Sequence, residues 1–68
     1  MTQNERIVQY LSDNGSITAA EAMTELGIYR LASRIHDLRK AGYAINRRMV
    51  ADVNRYGETV HYMRYSLD

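Results

Sequence analysis

Apolar residues recur at helical spacing three times before residue 40, and after Gly42 the period changes to alternation. Ile7, Val8 and Leu11 form the first stripe. Ahead of it, Thr2 and Glu5 stand as T-x-x-E, a capping box in which hydroxyl and carboxylate each close an orphan backbone N–H, so a helix starts near Gln3. Asn14-Gly15 ends it, because glycine takes the left-handed cap conformation without a Cβ clash. Ser16-Ile17 reads as a short extended link, with Ile17 an anchor in the core that is also able to pair as a brief strand. Thr18 and Glu21 repeat the capping box. Ala19, Ala22, Met23 and Leu26 then fall at i, i+3, i+4 and i+7, the buried face of a helix of about two turns. Gly27 stops it and Ile28 returns to the core. A third helix is expected from about Tyr29 to Ala41, with Leu31, Ile35 and Leu38 buried and Gly42 as its C-cap. Arg39 and Lys40 in its last turn suit the negative end of the helix dipole.

Beyond Gly42, Tyr43 and Ile45 point one way and Ala44 and Asn46 the other, so Tyr43–Val53 reads as a strand. Asn54-Arg55-Tyr56-Gly57-Glu58 is a turn built on the residues that tolerate positive φ. Thr59–Leu67, rich in β-branched and aromatic residues, is a second strand, with Tyr62 and Tyr65 on its opposite faces. A loop this short joins the two as an antiparallel hairpin. A lone hairpin is unstable in water, so it must pack on the helices. The order predicts an α+β domain, three helices followed by a two-stranded antiparallel hairpin, filling residues 1–68.

Sixty-eight residues suffice for one domain with a small core. There is no cysteine, hence no disulfide or thiolate metal site. No apolar run reaches the roughly 18 residues of a membrane span, and MTQNERIVQYL lacks the order of a signal peptide. A soluble, cytoplasmic protein is the expectation. Charge is informative once divided. Residues 1–28 set Arg6 against Glu5, Asp13, Glu21 and Glu25, a net of −3. Residues 29–68 set Arg30, Arg34, Arg39, Lys40, Arg47, Arg48, Arg55 and Arg64 against Asp37, Asp52, Glu58 and Asp68, a net of +4. Such asymmetry suits a polyanion on one side, although charged surfaces are also simply solvated.

Catalysis finds no foothold. His36 and His61 lie on different elements without H-x-x-H or H-E-x-x-H spacing. No nucleophile has a base near it in sequence, and there is no phosphate-cradling glycine loop and no acidic cluster for a metal. The chain reads as no enzyme, with neither cofactor nor metal.

Projected at 100° per residue, Leu31, Ile35 and Leu38 lie within about 60° of one another. Tyr29, Ser33, His36 and Lys40 occupy the opposite face, with Arg30 and Asp37 beside them and Arg34 flanking the buried stripe. The string GSITAAEAMTELGIYRLASRIHDLRKAGYAI resembles the small winged helix-turn-helix proteins common in phages and prophages. Their pattern is G-x-I-T, a short helix ending L-G-I, then R-L-x-x-R-I-x-x-L-R-x-x-G-Y-x-I. Here it is carried by Gly15, Ile17, Thr18, Leu26, Gly27, Ile28, Arg30, Leu31, Arg34, Ile35, Leu38, Arg39, Gly42, Tyr43 and Ile45. The closing NRYGETVHYMRYSL resembles the family's wing.

The resemblance implies a sequence-selective binder of double-stranded DNA, a small phage or prophage transcriptional regulator or recombination accessory factor. The third helix would enter the major groove, where residues near its N-terminus reach furthest. Tyr29, Arg30, Ser33 and Arg34 are the first candidates there. Arg47, Arg48 and Arg55 are the candidates in the wing, with residues 53–59 at the backbone or minor groove. Competing readings stand beside these. Arg34 and Asp37, at i and i+3, suit a surface ion pair. Tyr29 suits a cover over the core edge, His36 a solvated face, and the strand arginines a guard on a sheet edge. One such module buries only ~600–1,000 Å² on DNA. A homodimer, a cooperative multimer or a partner protein is therefore expected. An alternative function is a protein-interaction module, a phage-encoded adaptor or inhibitor of a host protein, with Glu5, Asp13, Glu21 and Glu25 as its surface.

Overall fold

In the computed structural model, which describes residues 1–67, two threonine hydroxyls open the first two helices. (Asp68, counted in the charge of the second half, lies outside the described residues.) Thr2 Oγ1 accepts from the Glu5 N–H at 3.1 Å and Glu5 Oε1 from the Thr2 N–H at 3.0 Å. That closes the start of α1 (Gln3–Asn14). Thr18 and Glu21 repeat the exchange at 3.2 and 2.9 Å and open α2 (Ala19–Leu26). Gly15 and Gly27, with φ of 86° and 69°, end the two helices in the left-handed region. α3 (Leu31–Lys40) ends on a paired closure, in which the Gly42 N–H bonds Arg39 O and the Tyr43 N–H bonds Leu38 O, each at 3.0 Å. Its C-cap is Ala41, and Gly42 follows with φ of 104°. The expected cap glycine therefore sits one residue further out.

The hydrogen bonds from Thr2, backbone first, hold the Glu5 carboxyl below its ordinary value of 4.5. A carboxylate lowered on folding stabilises above its unfolded value, and that contribution is lost as pH falls through the lower folded one. Melting temperatures followed from about pH 7 to pH 3 should thus drop more steeply for the native chain than for Glu5→Gln, whose cap does not titrate.

The sheet has three strands, where two were expected. β1 (Ile17–Thr18), β2 (Ile45–Val53) and β3 (Thr59–Leu67) lie in the order β1-β3-β2, all antiparallel. Ile17 faces Tyr65 and Thr18 faces Arg64. The reason is hydrogen-bond supply: both residues of β1 are buried, and a buried backbone needs partners, which the free side of β3 provides. β2 begins at Ile45 instead of Tyr43, because the Tyr43 N–H is engaged at the end of α3.

The core gathers one or more residues from most elements: Ile7 and Leu11, Ile17, Ala22, Ile28, the Leu31-Ile35-Leu38 stripe, and Ile45. Tyr65 and Leu67 pack against it from the sheet, while Tyr62, on the other face of β3, is also half-buried. Two members of the expected α2 face are out of place. Ala19 and Met23 are exposed, since an eight-residue helix seats only Ala22 fully and Leu26 partly. β1 covers β3 only at Arg64 and Tyr65, so the far half of the hairpin stands clear of the helices. Nine-residue strands at ~3.3 Å per residue span about 30 Å. The molecule is accordingly elongated, 39 × 22 × 21 Å.

Candidate nucleic-acid interface

α3 starts two residues later than its sequence suggests. Arg30 is the N-cap, with φ −119° and ψ 59°, and no side chain caps the helix there. Its carbonyl accepts from the Arg34 N–H at 3.3 Å. Tyr29 and Arg30 therefore leave the helical projection and belong to the turn that delivers α3. Tyr29 is 77% exposed and Arg30 is exposed beside it.

Tyr29, Arg30 and Arg34 come together as the walls of one shallow groove, with Gln3 of α1 as its fourth side. Gln3 was not legible as a site residue. It lies 26 positions before Tyr29, and only the packing of α1 across α3 brings it there. Arg34 is half-buried and its guanidinium meets Asp37 at 3.2 Å, as the competing reading had it. Its Nε is buried without an acceptor among the described residues. Ser33 is half-buried on α3, and His36 is exposed.

The wing arginines separate. Arg47 and Arg48 are neighbours on a strand, so they point to opposite faces. Arg47 is in register with Tyr65, on the face that carries Ile17, Ile45 and Leu67. Arg48 is in register with Arg64 on the other face. Those two, with Ser16, Asn46, Ser66 and the neighbouring Arg47, line a polar pocket. Arg64 is held there as structure: its Nη1 donates to Ser16 Oγ at 2.9 Å and lies 3.6 Å from Glu21 Oε1. Glu21 thus serves the α2 cap and the sheet together.

Arg55 and Tyr56 sit at the tip, Tyr56 being 78% exposed. Asn54 fixes the loop beneath them. Its Oδ1 accepts from the Tyr56 and Glu58 N–H groups at 2.9 and 3.0 Å, and its Nδ2 donates to Glu58 Oε1 at 3.2 Å. The Asn54 N–H and Glu58 O close the hairpin at 3.0 Å, and Gly57 turns it with φ of 78°. These bonds fix the loop backbone on which Arg55 stands exposed. Among the described residues the ion pairs are Arg34–Asp37 and Arg64–Glu21, which leaves Arg30, Arg47, Arg48 and Arg55 without a carboxylate partner.

A family model described as a winged helix-turn-helix domain matches residues 2–68 of this chain. The chain belongs to the winged helix-turn-helix family. The match spans nearly all of it and speaks to the domain type, not to a phage or prophage source. No curated protein gives a significant match. Winged helix-turn-helix domains are typically DNA-binding modules without enzymatic activity, so membership suggests DNA as the partner. In this winged helix-turn-helix domain α2 and α3 form the motif, joined through Gly27, and the β2–β3 hairpin is the wing. No described helix is long and apolar enough to cross a membrane.

Proposed function

We propose that the domain binds double-stranded DNA sequence-selectively, with the start of α3 in the major groove and the wing tip on the adjacent backbone or minor groove. The observation that carries this reading is the groove at the start of α3, where Arg30, without a carboxylate partner among the described residues, shares one concave surface with an exposed Tyr29 and with Arg34. Arg30 reads guanine edges, for which a guanidinium fork is suited. Tyr29 and Ser33 donate to phosphates. Arg34 keeps Asp37 and supplies its remaining N–H groups. Arg55 follows the backbone from the tip, and Arg47 and Arg48 add charge from the two faces of the wing. The role is that of a small transcriptional regulator or recombination accessory factor, phage or prophage origin being what the sequence pattern implies.

The protein-interaction reading keeps only part of the surface it would use. Two of its four acidic residues, Glu5 and Glu21, are engaged in capping boxes. Helix starts account for Glu5 and Glu21, while Asp13 and Glu25 stay exposed near the ends of α1 and α2.

Titration of a random-sequence duplex at about 50 and 200 mM salt tests the proposal. If four of the unpaired cations each neutralise one phosphate, affinity falls on the order of 100-fold across that interval. Selection from a random pool should then return a defined motif. Absence of any duplex binding at the lower salt, or a salt-independent affinity, would overturn the proposal.

A further inference from the structure

β2 is an edge strand, and its free side is closed at both ends and open between them. The Ile45 N–H bonds Tyr43 O at 3.1 Å, and Ile45 O accepts from Arg39 Nε at 3.0 Å. Ile45 therefore exchanges no ladder bonds with Leu67. At the other end the Asn54 N–H bonds Glu58 O, which makes that pair a bonded one. Bonded and unbonded pairs alternate along an antiparallel ladder. The register from Ile45↔Leu67 to Val53↔Thr59 is unbroken. The even-numbered residues of β2 thus face β3, and the odd-numbered ones turn their N–H and C=O groups outward. Beyond Ile45, the Val53 N–H is occupied by Asp52 Oδ1 at 2.8 Å. Arg47, Met49 and Ala51 remain, on an edge with neither bulge nor proline, and Met49 is 57% exposed.

The side chains of this edge are self-complementary. Arg48 and Asp52 lie equally far from Val50, on one face of the strand. We propose that a second copy of this chain pairs here, β2 against β2 and antiparallel, with the two-fold axis through Val50. In that register Arg48 stands opposite the partner's Asp52 and Val50 opposite the partner's Val50. Met49 and the partner's Ala51 exchange backbone bonds in both directions. Arg47 meets the partner's Val53, whose N–H is released as Asp52 turns to the new arginine. Opposite charges across a strand pair stabilise and like charges oppose. Within its own chain Arg48 faces Arg64 directly. The partner's Asp52 supplies the missing counter-charge. Charged residues on an edge usually repel a second strand. Here the antiparallel two-fold turns that guard into a match. The result is a continuous six-stranded sheet carrying two copies of α3 related by a dyad. The pairing is carried by strand chemistry alone, so it stands or fails independently of DNA binding.

Because the chain has no cysteine, single substitutions report the axis cleanly. Residues facing each other in an unbonded pair have Cα atoms about 4.5 Å apart, inside the span of a disulfide. Under mild oxidation Val50→Cys should form a covalent dimer at least ten times faster than Val53→Cys. Val53 is 62% exposed and Val50 is half-buried, and random collision would favour the reverse order. In sedimentation equilibrium, Arg48→Asp and Asp52→Arg should each weaken dimerisation about tenfold or more, and the two together should restore it. Equal cross-linking of the two cysteine variants, or a double charge swap that associates no better than the single ones, would overturn the proposal.

Discussion

Replacement of Arg30 by alanine is expected to lower affinity for a selected duplex by about 5- to 150-fold, with only a small loss on random DNA. The range follows from the ~1–3 kcal/mol that one bidentate arginine–guanine contact contributes to discrimination. Arg30 is the right residue for this because it has no competing partner. It forms no ion pair among the described residues, it makes no side-chain cap to α3, and it is exposed at the mouth of the groove with Tyr29. Arg34 offers a contrast. Its pairing with Asp37 at 3.2 Å must be loosened or shared before it contacts DNA, so Arg34→Ala should cost less. Arg55→Ala should behave differently again. A phosphate contact carries no sequence information, so affinity should fall evenly for all duplexes and the salt slope should drop by about one. Fluorescence anisotropy on a selected and a scrambled duplex separates the three.

Ile35→Ala should remove a large share of the domain's stability. Ile35 is 1% exposed and lies in the middle of the α3 stripe, among residues from other elements of the core. Truncating a buried isoleucine to alanine costs ~2–5 kcal/mol through lost transfer energy and the cavity left behind. A chain of this size has only about 3–10 kcal/mol of total stability. Nor does the core have a disulfide to fall back on. Urea denaturation followed by circular dichroism measures the loss, and a fall in unfolding free energy below about 1 kcal/mol would show that Ile35 does not hold the core.

The helical half was legible because several independent signals agree there. Capping boxes at Thr2 and Thr18 and glycines after Asn14 and Leu26 bound α1 and α2 where the apolar stripes lie. The start of α3 was harder, since periodicity alone does not separate a residue that continues a helix from an N-cap with non-helical backbone. Arg30 is such a residue. The third strand was legible only as an ability of Ile17 to pair, and was not counted in the sheet, for a related reason. Two residues, Ile17 and Thr18, are too few for alternation to show, and what makes them a strand is the free side of β3 nearly 50 residues away. Met23 matched the buried face by spacing, but a helix of eight residues is too short to seat all of it.

The site was legible only in part, and for the same kind of reason. Residue type marked Tyr29, Arg30 and Arg55 as candidates. Gln3 joined the groove through packing, and Arg64, one more arginine of the wing by sequence, is tied to Ser16 and Glu21. Arg47-Arg48 is a basic pair in the sequence, named together among the wing candidates. Strand alternation splits it between two faces, a consequence of the extended backbone that charge counting does not register.

Amide chemical-shift mapping locates the DNA interface on the protein. With duplex DNA added to the labelled protein, perturbations should concentrate at residues 27–37 and 54–58, with Gln3 beside them. The α1–α2 surface around Gln9, Asp13 and Glu25 should stay unmoved. Shifts centred on that acidic surface, or none at either the start of α3 or the wing tip, would contradict the account.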